Sequence, residues 1–357
     1  MNKKVFSAIL FLATIMVSFL ASYPATGTAS WSFSDDRLEK AASYLIGKYN
    51  SSLRLVANSE DEGPNPLGSE GVPCYSTYWI YSDNLWAGWA LQPYSSISEN
   101  ILETVQNYTL RYGRSMLFEA AVGEPIPTTV HEERNIKVYD ESVNGIRVQI
   151  LLDRHQYADN PLGIFHDSEE YADLCFYMTI NYWMMGDANA SEHWFRTGEA
   201  MWNYSTDNGF YDKATVQDGC YQNFKLGLFI LAQRVTEFQS DITEIVETAA
   251  WKYQNRLNGG ITTQSWLDGS AYGTANAEAT SALLLSYNSE LTDRLHKRQT
   301  YAQYSLELIE AELERTRALW FTFLVFSTSL LGIASLVLAV RSMRITKRAR
   351  ANHNFKI

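Results

Sequence analysis

The chain has 357 residues, 46% of them apolar and 19% charged, with a formal net charge of −11. That length and apolar content are enough to bury a sizeable core. The acidic balance excludes a protein that grips nucleic acid by neutralising phosphates. Three cysteines, Cys74, Cys175 and Cys220, do not make a disulfide scaffold, and no zinc-type spacing is present. One bridge, with Cys74 and Cys220 as the preferred pair, and three buried free thiols are both compatible with them.

Residues 1–29 have the layout of a secretory signal: Lys3 and Lys4, an apolar run over 5–20, then Gly27-Thr28-Ala29 as a small-residue cleavage point. An uncleaved N-terminal anchor is the alternative, and it leaves the middle of the chain on the same side. An amphipathic helix is expected over 35–50, with Ser34 or Asp35 as its cap. The acidic, Gly- and Pro-containing stretch 58–73 reads as a loop. The aromatic lead CYSTYWIYSDN then runs into the apolar helix LWAGWAL. Over 125–153 the pattern becomes β-branched alternation around Asn144-Gly145, which signals a hairpin and is read as a small β insertion on one face.

Further on, the lead-in pattern repeats. A loop rich in Gly, Asp and aromatic residues delivers the chain into an apolar helix, and a more polar helix follows. The leads are GIFHDSEEYADLCFYMTI, GFYDKATVQDGCYQNFKLGL and GSAYGTANAEATSALLL; the polar returns are ASEHWFRTGEAMWNYS and DITEIVETAAWKYQNRL. Taking Asn84, Asp173, Asn223 and Glu278 as matching first-turn positions, the steps are 89, 50 and 55 residues, the size of one or two helical hairpins. Such hairpins predict an all-α domain over 30–292: an α/α toroid with apolar helices inside and amphipathic ones outside, or an open solenoid of the same units.

The C-terminal part reads as a helical stalk over 293–318 and an uncharged run of 22 residues over 319–340. The tail, 341–357, holds six basic residues. The expectation is a transmembrane helix in the lipid bilayer, with the domain outside the cell and the tail in the cytoplasm.

The leads YSDNLWAGWAL, EEYADLCFYMTI, GFYDKATVQDGCYQNFKLGL and GSAYGTANAEATSALLL resemble those of six-hairpin glycosidases, and the last also resembles those of terpenoid-cyclase-like toroids. The likeness covers residues 35–288. It implies a toroid whose inner-helix N-termini gather round one mouth, with carbohydrate or an envelope glycan as partner and no cofactor. Terpenoid chemistry is disfavoured, because the aspartate-rich ionisation motif is missing.

Glycoside hydrolysis needs a protonated carboxyl and a second carboxylate. Glu278 is the first candidate for the acid, with Asp83 or Asp173 as its partner. Asn84, Trp79, Tyr171, Asn223, Tyr221, Trp266 and Asn276 are the candidate ligand-binding residues, because carboxylates beside flat aromatic faces suit a sugar. Helix N-terminal capping is the structural alternative for the polar ones. No metal site is expected: His131, His155 and His166 lack ligand spacing, and Asp61, Glu62 and Glu70 do not make an EF-hand. The absence of a phosphate-binding glycine loop and of a G-x-S-x-G elbow removes nucleotide and serine-triad chemistry. A non-catalytic glycan- or protein-binding module, or a structural component of the cell envelope, is the competing function.

Overall fold

The computed structural model describes residues 35–65, 71–114, 117–126, 131–158 and 167–353. The expected signal segment, Ser34, Glu70 and His166 lie outside them. The chain divides into two compact units, Met1–Leu38 and Glu39–Ile357. The described part of the first is residues 35–38, where helix α1 (Asp35–Gly47) opens. Everything that follows concerns the second unit.

Its helical frame follows the apolar pattern. A π-helical turn, Ile80–Leu85, runs into α2 (Trp86–Ala90), which packs on α3 (Ile97–Tyr112). Helix α4 (Leu117–Ala120) is a short connector. Helix α5 (Ala172–Met184) packs on the more polar α6 (Ala188–Glu199). After a short α7 (Lys213–Asp218), α8 (Phe224–Thr236) packs on α9 (Thr243–Lys252). Helix α10 (Ala277–Ser286) and α11 (Ser289–His353) complete the series.

The apolar helices lie against one another in the order α5, α8, α10, α2. They are buried nearly all round, as helices without a polar face must be. Gly227 is what lets α8 and α10 approach closely: a Cβ there would stand 2.5 Å from the carbonyl carbon of Ala282. Phe176, Phe195, Phe210 and Phe229 fill the interior with edge-on and stacked ring contacts, which add to the burial of apolar area.

The all-α expectation is overturned by three sheets. Strands β1 (Tyr49–Asn50) and β2 (Leu55–Val56) form a short antiparallel pair. Strand β3 (Thr77–Trp79) pairs in parallel with β5 (Ile146–Ala158), which pairs in antiparallel register with β4 (His131–Val143). Strands β6 (Cys220–Gln222), β7 (Thr262–Trp266) and β8 (Ala271–Ala275) form the third sheet. The turn between β4 and β5 is Asn144-Gly145 with φ of 53° and 77°, the left-handed pair that a two-residue hairpin loop demands. The hairpin is not a peripheral insertion. Val148, Ile150, Leu151 and Leu152 of β5 are buried, and β5 also packs against the π-helical turn.

Two further expectations are corrected. Cys74, Cys175 and Cys220 are free and buried, so Cys74 and Cys220 do not pair. Burial raises all three thiol pKa values, consistent with inert packing groups. Among the described residues, no helix is long and apolar enough to cross a membrane. This overturns the single-pass placement with an outside domain and a cytoplasmic tail. The run 319–340 is not a separate element but the middle of the 65-residue helix α11. Within it, Ser327, Ser329 and Ser335 donate back to carbonyls four residues earlier.

Candidate active site

The segment joining β3 to α2 builds the centre of the site. The π-helical turn places Ser82, Asp83 and Asn84 in succession, all buried. Such widened turns recur where side chains must be aimed at a site. Asn84 holds the turn in place: its amide oxygen accepts from the Val56 N–H at 2.6 Å, and its nitrogen donates to the carbonyls of Val56 and Trp79. Asn58 links β3 to α10, because its carbonyl accepts from the Ala277 N–H at 2.8 Å while its own N–H donates to the Thr77 carbonyl. Asn276 caps α10 by accepting from the Ala279 N–H at 2.9 Å. Glu278 thereby sits in the first turn of α10, at the positive end of the helix.

These elements, with β5, α5, β6–β8 and the start of α8, enclose a cavity of about 650 Å³. Five carboxyls line it: Asp61, Asp83, Asp153, Asp173 and Glu278. All three carboxylates proposed from sequence are therefore brought to one cavity. Trp79, Phe118, Tyr177, Phe224 and Tyr272 supply aromatic wall, and asparagine, glutamine and threonine side chains fill the spaces between. No lysine, arginine or histidine is among the described lining residues, and no group of three or more metal-ligating side chains is found among the described residues.

The carboxyls are not equivalent. Asp83 is 1% exposed. Burial first, and then the negative charge of Glu278, push its pKa well above the ordinary aspartate value; Asp153 adds to this. Hydrogen bonds from Asn58 and Ser82, both at 3.1 Å, oppose the shift without reversing it. Its surroundings thus favour the protonated form of Asp83 over the charged one.

Asp173 is held differently. In the first turn of α5 it forms an ion pair with the Lys225 ammonium at 3.1 Å, and Lys225 also meets Asp212 at 2.5 Å. Burial pulls the Lys225 pKa down, but Asp173 and Asp212 outweigh it and hold it above the ordinary value. Asp212 caps α7 through the Thr215 N–H and accepts from the Ala172 N–H at the start of α5. This cluster fixes the starts of three helices around the cavity.

Tyr177 lines the same cavity, 2% exposed, and its hydroxyl has no hydrogen-bond partner. Burial, then Asp173, Glu278 and Asp153, drive its pKa far upward. The raised pKa keeps it a proton donor, and burying it unpaired carries a free-energy cost.

Of the candidate ligand-binding residues, Trp79 and Asn276 line the cavity. Asn84 spends its amide on the main chain, and Asn223 donates to the Thr262 carbonyl and accepts from Ser265. The Tyr221 hydroxyl is taken up by Asn203 and Thr206. Tyr171 lies beneath the Lys213 ammonium. Trp266 stacks on Tyr272 with ring centroids 4.1 Å apart, and through it supports the wall.

Sequence reasoning missed Asp153, Tyr177, Asn58 and Lys225. Lys225 had a visible signal: a lysine one position into an apolar helix must be paired if buried. Asp153 ends an apolar strand run, and Tyr177 was hidden among the apolar residues of α5.

Comparison with known proteins supplies no relative. No family model matches the chain, and searches of curated proteins and of solved structures return no match.

Proposed function

We propose that this cavity hydrolyses a glycosidic bond, with Asp83 as general acid and Glu278 as the paired carboxylate. The observation that carries this reading is the buried Asp83, its pKa raised by burial and by the nearby Glu278, in an aromatic-walled cavity. A glycosidase needs that division: one carboxyl protonated to meet the leaving oxygen, the other charged to activate water or attack carbon. The roles are the reverse of those expected from sequence, because burial protects the proton on Asp83, whereas Glu278 lies where a helix end favours charge.

Asp173 is committed to Lys225 and serves to position α5 and α8. The aromatic faces offer contact for the apolar side of a sugar ring, and the amides and hydroxyls pair with its hydroxyl groups. The five carboxyls of the lining would repel the carboxylate of a uronate, so a neutral sugar is favoured as substrate.

The test is release of reducing ends from a panel of polysaccharides by the full chain. Asp83→Asn and Glu278→Gln should each lower kcat by about 10²–10⁴, the range that general acid–base groups supply. The wild-type rate should fall as pH rises through the raised pKa of Asp83, since the acid must carry its proton. Either variant turning over at the wild-type rate would overturn the assignment, as would a panel that yields no product.

A further inference from the structure

A second cavity of about 650 Å³ shares no lining residue with the carboxylate site. It lies between the first turns of α11, the end of α2 and the turn after α4. Arg294, Lys297 and Arg298 of α11 line it together with Trp89, Gln92 and Glu290. In a chain of net charge −11, three cations on one and a half helical turns outnumber Glu290, the carboxylate in the same lining.

The cations are organised by their surroundings. Glu124 accepts from Arg294 at 2.8 Å and from Arg298 at 2.9 Å, so one carboxylate holds two guanidinium groups side by side. Arg294 lies over the Trp89 ring, 4.9 Å from its centroid. Gly123, at φ +94°, admits it: a Cβ there would stand 3.2 Å from Arg294 Nε. That Nε is buried without an acceptor, as the Gln92 Oε1 is without a donor. Glu124 and Glu290 offset two of the three cations, and Lys297 is exposed beside them. The groove therefore has unspent positive charge and fixed guanidinium planes, which suit the bidentate recognition of an oxyanion. The Gln92 side chain, part-exposed in the lining, offers its amide to a hydroxyl on the same ligand.

We propose that this groove binds a phosphorylated, hydroxyl-bearing small molecule of the sugar-phosphate class. Its phosphate would meet Arg294, Lys297 and Arg298, and its hydroxyl-bearing body would reach Gln92.

The test is calorimetric titration of the full chain with three probes: glucose 6-phosphate, inorganic phosphate and glucose. Glucose 6-phosphate should bind at least about tenfold more tightly than inorganic phosphate, and glucose alone should not bind. Affinity should fall as salt is raised, because the groove is open enough for its charges to be screened. Lys297→Glu, at an exposed position that leaves the Glu124 bridges intact, should lower glucose 6-phosphate affinity by about tenfold or more, a change of about 1.4 kcal/mol. Arg298→Gln should weaken it in the same direction, with a thermal melt confirming that each variant is folded. Failure of glucose 6-phosphate to bind at millimolar concentration would overturn the proposal. So would binding that both folded variants leave unchanged, or phosphate binding as tightly as glucose 6-phosphate.

Discussion

Two charge clusters in this domain are built as opposites. At the carboxylate cavity, one ammonium, Lys225, is shared by two carboxylates, Asp173 and Asp212, and the Lys225 and Asp212 side chains are 1% and 0% exposed. On α11, one carboxylate, Glu124, is shared by two guanidinium groups whose side chains are 36–37% exposed. The same pair chemistry meets two different dielectric settings. In the buried cluster Lys225 and Asp212 have lost their water and Asp173 keeps 20% of its exposure, so removing Lys225 strands a buried carboxylate. In the exposed cluster water and salt do much of the pairing, so the bridges orient side chains more than they hold the fold. The buried cluster is accordingly assigned to structure, and the open one keeps charge available for a ligand.

The largest effect should come from Lys225→Met. It keeps the apolar stem but leaves Asp173 and Asp212 facing each other unpaired, with a loss of about 3–5 kcal/mol expected from breaking a buried pair. Urea denaturation at neutral pH measures it. Because Asp212 caps α7 and accepts from the start of α5, the variant should also lose helical signal. A loss below about 1 kcal/mol would place Lys225 among ordinary surface pairs and remove the contrast between the clusters.

Asp83→Asn sharpens the comparison in another way, since it removes an ionisation rather than a partner. The folded-state pKa of Asp83 lies above its unfolded value, so the native state binds the extra proton. That contribution is fully present below the unfolded pKa and is lost as pH rises through the folded one. Asparagine does not titrate. The variant should therefore gain on the wild type as pH rises from about 4, the unfolded aspartate value, until the gap levels off above the folded pKa. Urea melts of both proteins across that range measure the gap. A gap independent of pH would show that Asp83 is not held protonated.

Much of the helical order could be read from the chain, because alternating apolar and polar helices leave a strong periodic signal. Asp83, Asp173 and Glu278 were found for the same reason: each lies where a lead-in loop becomes a helix. The sheets were harder. Strands β3 and β6 are three residues long, too short for a period of two to register, and their pairing joins residues far apart in sequence. The role of Asp83 was also illegible, because helix position alone predicts a lowered carboxyl pKa. Burial and the nearby charges of Glu278 and Asp153 set it instead, and both depend on tertiary packing. Asn223 and Tyr221 looked like ligand residues at equivalent positions, yet they are spent on Thr262, Ser265, Asn203 and Thr206. A polar side chain at a loop–helix junction serves a capping or stapling role as readily as a functional one.

The smallest stability effect should belong to Glu124→Gln, and it probes the exposed half of the comparison. Glutamine keeps an acceptor for Arg294 and Arg298 but removes the shared charge. With both partners more than a third exposed, the loss should stay within about 1 kcal/mol and shrink in high salt. Ligand affinity should move the other way. Glu124 competes with an incoming phosphate for the same guanidinium groups, so its neutralisation should tighten glucose 6-phosphate binding severalfold at low salt. Paired urea melts and titrations separate the two effects. Were Glu124→Gln to destabilise the fold as severely as Lys225→Met, the α11 arginines would be part of the structural frame, and the charge left over for a ligand would be smaller than their exposure implies.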